Sequence, residues 1–224
     1  MNKKAVILLS GGLDSLVSLA AAKDFCNVEL ALTFDYSQRA LDEEIEAASL
    51  ISKFYKIEHK VIKLPFLAEI TNNALVDSHA DLEFEKLDKN SAKAVWVPNR
   101  NGLFLNIAAS FADSMGYDYI IIGANKEEAG TFSDNSVEFL RRADGFFEYS
   151  TLKHPKILAP LAKLEKHEII NFALDKKVPL EYLKSCYNSK KLSGVKHCGK
   201  CESCKRLRAA ILKSVNKDLI KLFF

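Results

Sequence analysis

Lys4-Ala5-Val6-Ile7-Leu8-Leu9-Ser10-Gly11-Gly12-Leu13-Asp14-Ser15 is the stretch on which the reading of the fold turns. Lys4–Leu9 is a short apolar run of the kind that forms a buried strand, and Ser10-Gly11-Gly12 punctuates it. From Asp14 to about Phe25, the residues Leu16, Val17, Leu19 and Ala20 suit a helix packed on a sheet. A strand, a glycine turn and a helix in direct succession open an α/β unit.

Working outward, the alternation continues. Val28–Phe34 predicts a second strand, and Ala40–Lys56 an amphipathic helix. Its start is acidic (Asp42, Glu43, Glu44, Glu46), as the helix dipole prefers. Glu58–Leu64, Tyr119–Gly123 and Ile157–Ala159 read as further strands, and Gly102–Met115, Asn135–Arg142 and Lys163–Lys176 as helices. Pro65 to Val95 has mixed polarity and no clean period, a length more often found as a lid or binding loop than as core. Continuous rather than alternating apolar strands imply a doubly wound α/β fold, a Rossmann-like parallel sheet covered on both faces. In such a sheet ligands sit at the carboxyl ends of the strands.

The chain has 224 residues, 48% of them hydrophobic and 27% charged, so it can bury a full core without staples. That balance excludes a disordered protein, a collagen-like fibre and a disulfide-dense miniature. The net charge of +3 conceals an asymmetry. Lys184–Phe224 carries eleven Lys or Arg against Glu202 and Asp218, leaving the first 183 residues acidic by six charges. The expected organisation is an α/β domain over 1–183 with a metal-binding appendage over 184–224, packed on it as one structural unit. The longest early apolar run, Ala5–Leu9, is too short for a leader or a membrane span. The expectation is a cytoplasmic protein with no membrane partner and reduced thiols, where clustered cysteines more often hold metal than pair.

The loop after the first strand has the chemistry of an anion site. Gly11 and Gly12 let backbone N–H groups approach phosphate at a helix N-terminus, and the hydroxyls of Ser10 and Ser15 can donate to its oxygens. Asp14 can cap the helix or hold a Mg2+ ion that neutralises phosphate. No Gly-Lys-Thr element is present, so this is not a Walker loop.

Cys186-x11-Cys198-x2-Cys201-x2-Cys204 supplies four soft ligands, with Gly199 for the tight turn. Closed four-thiolate sites favour a structural Zn2+ ion. An iron–sulfur cluster, a disulfide pair and His197 in place of one thiol are the competing readings. The nearby Lys196, Lys200, Lys205, Arg206 and Arg208 offset thiolate charge. Cys26 stands alone and reads as a small buried apolar residue.

Ser10–Ser15 resembles the pyrophosphate loop of the ATP-pyrophosphatase (PP-loop) superfamily, of the adenine nucleotide alpha hydrolase fold type. That resemblance makes Leu9, Ser10, Gly11, Gly12, Leu13, Asp14, Ser15, Leu16, Val17, Ser18 and Leu19 the ATP segment. Further motifs resemble the 7-cyano-7-deazaguanine synthase (QueC) family over nearly the whole chain. They are Asp35-Tyr36-Ser37-Gln38-Arg39, Pro98-Asn99-Arg100-Asn101, Pro160-Leu161-x2-Leu164-x-Lys166-x-Glu168-Ile169, and Ser185-Cys186-Tyr187 with the Cys198–Cys204 knuckle. The family is known for converting 7-carboxy-7-deazaguanine, ATP and ammonia into the 7-cyano compound, a queuosine precursor, by adenylation of the carboxylate.

The resemblance implies Asp14, Arg100 and Lys166 as catalytic residues. It implies Arg39, Arg100, Asn101 and Asp134 as substrate contacts, and the four cysteines as the metal set. It also implies a homodimer. The chain departs from the family at Ala40, where His is usual, and at Thr131–Ser136, where the family has a Tyr-Pro-Asp-Cys-Arg run. That departure keeps open a second enzyme reading, a paralogue joining an activated carboxylate to an amine other than ammonia. A third reading, a basic tail that grips RNA, is disfavoured because no stacking aromatics cluster beside the knuckle.

Overall fold

The computed structural model describes residues 3–71, 73–77, 94–188 and 197–224. Five strands, β1 (Lys4–Leu8), β2 (Asn27–Asp35), β3 (Glu58–Lys63), β4 (Tyr119–Ile121) and β5 (Lys156–Leu158), form one sheet in the order β3-β2-β1-β4-β5. Every adjacent pair is parallel. The doubly wound expectation is therefore borne out. The chain order reverses between β1 and β4, and the crevice beyond their carboxyl ends is where such sheets bind ligands.

Each run of apolar residues serves both faces, because successive strand side chains point in opposite directions. Ala5, Ile7 and Leu9 pack with Leu16 and Leu19 of helix α1 (Leu13–Ala22). Val6 and Leu8 pack on the other face with Leu105 and Ala108 of a long helix at Arg100–Met115. The chain also forms α2 (Leu41–Tyr55) and the short α3 (Phe66–Ile70), so the long helix is α4. Cys26 is buried in the first layer, as expected.

Beyond β4 come the short α5 (Lys126–Ala129) and then α6 (Val137–Ser150). Helix α6 starts later and runs longer than the expected 135–142. Ser136 caps it by accepting from the Phe139 N–H at 3.2 Å, which leaves Ser133–Asn135 as a single 3-10 turn. The helix continues through Asp144-Gly145, where the Asp144 carboxylate accepts from the Ile157 N–H of β5 at 2.7 Å. Helix α7 (Lys166–Asp175) opens with a capping box between Glu165 and Glu168, which fixes its first turn.

The basic tail contains helix α8 (Glu202–Lys213) and a final turn, α9 (Ile220–Phe223). Leu207, Ala210, Ile211 and Phe223 are buried in the same layer as α1. Residues 78–93 of the expected lid lie outside the described residues. Among the described residues, no helix is long and apolar enough to cross a membrane.

Candidate active site

The loop after β1 is built on close backbone approach. Gly11 has φ +79°, and a Cβ there would lie 2.6 Å from Ala47 Cβ of α2. Ser15 Oγ donates to the Gly12 carbonyl at 3.1 Å, and Ser10 Oγ accepts from the Gly12 N–H at 3.3 Å. The two hydroxyls are 3.2 Å apart. Gly12 is the N-cap of α1 and offers no side-chain cap, so the first-turn N–H groups remain available to an anion. Of the ATP segment, Leu16, Val17, Ser18 and Leu19 are wholly buried beneath the loop. Leu9, Ser10, Gly12, Leu13, Asp14 and Ser15 line a cavity of about 220 Å³.

Asp14 does not cap α1. Its carboxylate meets Lys166 Nζ at 3.2 Å, and the same ammonium meets Glu128 of α5 at 2.6 Å. Lys166 is buried, with 8% of its side chain exposed. Burial works against its charge, but the two carboxylates outweigh that and raise its pKa. Burial pushes the Asp14 carboxyl up despite the pull of Lys166. Burial also acts to raise Glu128, yet Lys166, helped by Arg206 and Arg100, brings it below its ordinary value. The result is one buried cation between two acids from different strand–helix loops. Asp14 and Glu128 are also oxygen donors of the kind Mg2+ prefers.

The facing wall comes from β2, α2 and α4. Arg100, at the first position of α4, donates to Tyr36 Oη at 3.2 Å. Gln38, 5% exposed, donates to the Phe34 carbonyl at 2.9 Å and to Glu44 at 2.8 Å, and accepts from the Tyr36 N–H at 3.0 Å. Burial lifts the Glu44 carboxyl to about 7. Arg39 lines the same cavity, with its guanidinium against the carbonyls of Ala74 (3.4 Å) and Asp77 (3.3 Å). Asn101 donates to the Asp134 carbonyl at 3.3 Å, and the Asp134 side chain lines a second cavity that shares Arg100 and Glu128 with the first.

The four cysteines converge. All four sulfurs lie within 4.8 Å of one another, and no two are joined. A tetrahedral ion with Zn–S bonds of about 2.3 Å would place its sulfurs ~3.8 Å apart, and Cys198 and Cys204 stand at 3.8 Å. Backbone N–H groups of Cys201 (3.3 Å) and Lys200 (3.4 Å) point at Cys198 Sγ, as a thiolate ligand requires. The donor set therefore fits a tetrahedral metal ion. His197 is outside it, because its Nε2 accepts from the Ser185 N–H at 3.0 Å. Arg206 does not face the sulfurs as expected. It pairs with Glu202 (2.9 Å) and with Glu127 (3.1 Å) of α5.

The knuckle and the nucleotide loop are tied together. The Lys184 N–H donates to the Gly11 carbonyl at 3.0 Å, and Ser185, Tyr187 and Ser203 form part of the cavity wall. Sequence reasoning missed Tyr36, Gln38, Glu44, Glu128, Tyr187 and Glu202 as wall residues. The position of Glu128 just after β4, at the carboxyl edge of the sheet, was the available signal.

A family model described as "Queuosine biosynthesis protein QueC" matches residues 4–215. A 7-cyano-7-deazaguanine synthase of Methanosarcina mazei is 48% identical over 95% of this chain and 94% of its own length. One of Bdellovibrio bacteriovorus is 43% identical over 99% of this chain and 98% of its own. Among solved structures, a 4-thiouridine synthetase–RNA complex with bound ATP superposes with a TM-score of 0.51 at 20% identity, covering 98% of this chain and 52% of that one. The NMN synthetase of Francisella tularensis gives 0.50 at 17% identity, covering 99% of this chain and 82% of that one. These distant likenesses concern the fold alone. With the loop, the paired walls and the cysteine cluster in one chain, and the match running almost from end to end, this chain belongs to the QueC family.

Proposed function

We propose that the chain is an ATP-dependent 7-cyano-7-deazaguanine synthase, which takes 7-carboxy-7-deazaguanine and ammonia to the nitrile. The observation that carries this reading is the buried Asp14–Lys166–Glu128 cluster beside a glycine loop, within a chain 48% identical to a named synthase. The substrate carboxylate attacks the α-phosphorus of ATP, expelling pyrophosphate. Ammonia then displaces AMP to give the amide; a second ATP adenylates the amide oxygen with release of pyrophosphate, and loss of AMP and of the nitrogen's two protons leaves the nitrile.

Little covalent work falls to the protein, so positioning and charge dominate. The Ser10–Ser15 loop and the α1 N-terminus receive phosphate, with Lys166 held beside it by two acids. Asp14 and Glu128 would hold the Mg2+ ion that accompanies ATP. Arg100, with Arg39 and Asn101, faces the carboxylate and its adenylated form across the cavity, and Asp134 stands beside the second cavity. Cys186, Cys198, Cys201 and Cys204 would hold a structural Zn2+ ion, which would fix Ser185 and Tyr187 as wall. The same reading takes residues 1–183 and 184–224 as one unit and the protein as a cytoplasmic homodimer.

The paralogue reading rested on Thr131–Ser136. The relatives reported above bear the synthase name at 43–48% identity, which favours the nitrile-forming reaction. Purified protein given 7-carboxy-7-deazaguanine, ATP and ammonium should yield the nitrile by mass spectrometry. Asp14→Asn should lose it by at least about a hundredfold while keeping a wild-type circular dichroism spectrum. AMP release without nitrile from the wild-type protein would overturn the reaction.

A further inference from the structure

The second cavity holds a feature that the reaction just described does not use. Glu202, at the start of α8 and next to Cys201, is 1% exposed. Its Oε1 accepts from Arg206 Nε at 3.1 Å and from the Arg206 terminal nitrogen at 2.9 Å. Its Oε2 is buried with no hydrogen-bond partner, although the residue lines the cavity. Arg206 is already shared with Glu127. A carboxylate oxygen buried without a donor is a costly arrangement that a ligand N–H would relieve. Trp96 and Phe132 line the same cavity as nearly parallel rings, with 14° between planes and centroids 6.2 Å apart. Flat apolar faces beside an unpaired acceptor suit a planar heterocycle carrying N–H groups along one edge.

We propose that this cavity is the base-recognition subsite, in which Glu202 Oε2 accepts from the 2-amino and ring N–H edge of the deazaguanine. This rests on the synthase reading above. The ring lies along the Trp96–Phe132 wall, and the carboxylate at its far end points to Arg100. Arg100, Glu128, Asn135 and Tyr187 are walls common to both cavities, so the two adjoin, and a base whose amino edge enters the roughly 40 Å³ second cavity extends toward the first. Glu202 is thus a specificity-determining residue that selects an aminopyrimidinone over a base lacking the amine.

Trp96 is the chain's single tryptophan, so intrinsic fluorescence reports on this wall directly. The full-length, metal-loaded protein is titrated without ATP with 7-deazaguanine and with 7-deazahypoxanthine, which lacks the 2-amino group. A saturable change in Trp96 emission is expected for the first, with the second binding at least about tenfold more weakly. Glu202→Gln, with metal content confirmed, should weaken 7-deazaguanine about tenfold and erase most of that preference. Equal binding of the two bases to the wild-type protein would overturn the subsite, and so would an unchanged preference in the variant. The wild-type comparison needs no variant to fold. If these binding results hold but no nitrile forms, the reaction assigned above fails while the subsite stands.

Discussion

Glu44 keeps its proton near neutrality because burial outweighs what its neighbours offer. Gln38 donates to it and Arg100 pulls its pKa down, yet the carboxyl still sits at about 7 against an ordinary 4.5. An acid whose folded-state pKa is raised costs the folded state nothing below its ordinary pKa, where both states are protonated. The cost grows as pH rises from about 4.5 to about 7 and is constant above. Glu44→Gln should therefore gain roughly 1–2 kcal/mol on the wild-type protein between pH 5 and pH 8, a range that allows for partial exposure. Urea midpoints at the two pH values decide it, and a difference that ignores pH would sink the assignment. This residue also shows where sequence reading stops. Among Asp42, Glu43, Glu44 and Glu46 it reads as one more surface acid favouring a helix N-terminus. Only the crossing of Gln38 and the Gly11 loop against α2 brings it into a half-buried position. Asp14 was legible because its place in a glycine loop is local, whereas Glu128 became its counterpart only through a third residue, Lys166, far along the chain.

Among the elements, the contact that aims the site is the one between the end of β4 and the first turn of α1. A Cβ on Gly123 would lie 2.8 Å from the Ser15 nitrogen and 2.9 Å from the Asp14 carbonyl carbon. Both are backbone atoms, so the helix itself must shift. Gly123→Ala should lower kcat/KM for ATP by at least about tenfold, with a stability loss of about 1–3 kcal/mol. Steady-state kinetics beside thermal melts will tell, and wild-type turnover would refute the claim that this glycine sets the loop. The strands were readable to within a residue or two, because short continuous apolar runs such as Tyr119–Ile122 suit a strand buried on both faces. The far boundary of α6 was not, since buried Leu140 and Phe147 hold its later turns against the second core layer. Helix α8 was hidden for a different reason. Its cysteine and its lysines and arginines announce metal and charge, and its buried Leu207, Ala210 and Ile211 make sense only against α7.

Taken as a whole molecule, the acidic body and the basic tail close one cavity between them. Removing the metal should therefore cost more than local order. A strong chelator, or Cys201→Ser, is expected to lower the melting temperature by at least about 5 °C and to abolish nitrile formation together. Full activity in metal-free protein would show the cysteine cluster to be independent of the site. The hydrogen bond from Lys184 to the Gly11 carbonyl carries one more implication. The nucleotide loop leaves the ribosome well before the segment that pins it. Ser185, Tyr187 and Glu202 follow that segment, so a growing chain has no finished pocket in which to spend ATP. Synthesis order thereby acts as a safety catch, and the enzyme becomes competent only when Lys184–Tyr187 and the cysteine cluster have emerged and folded back.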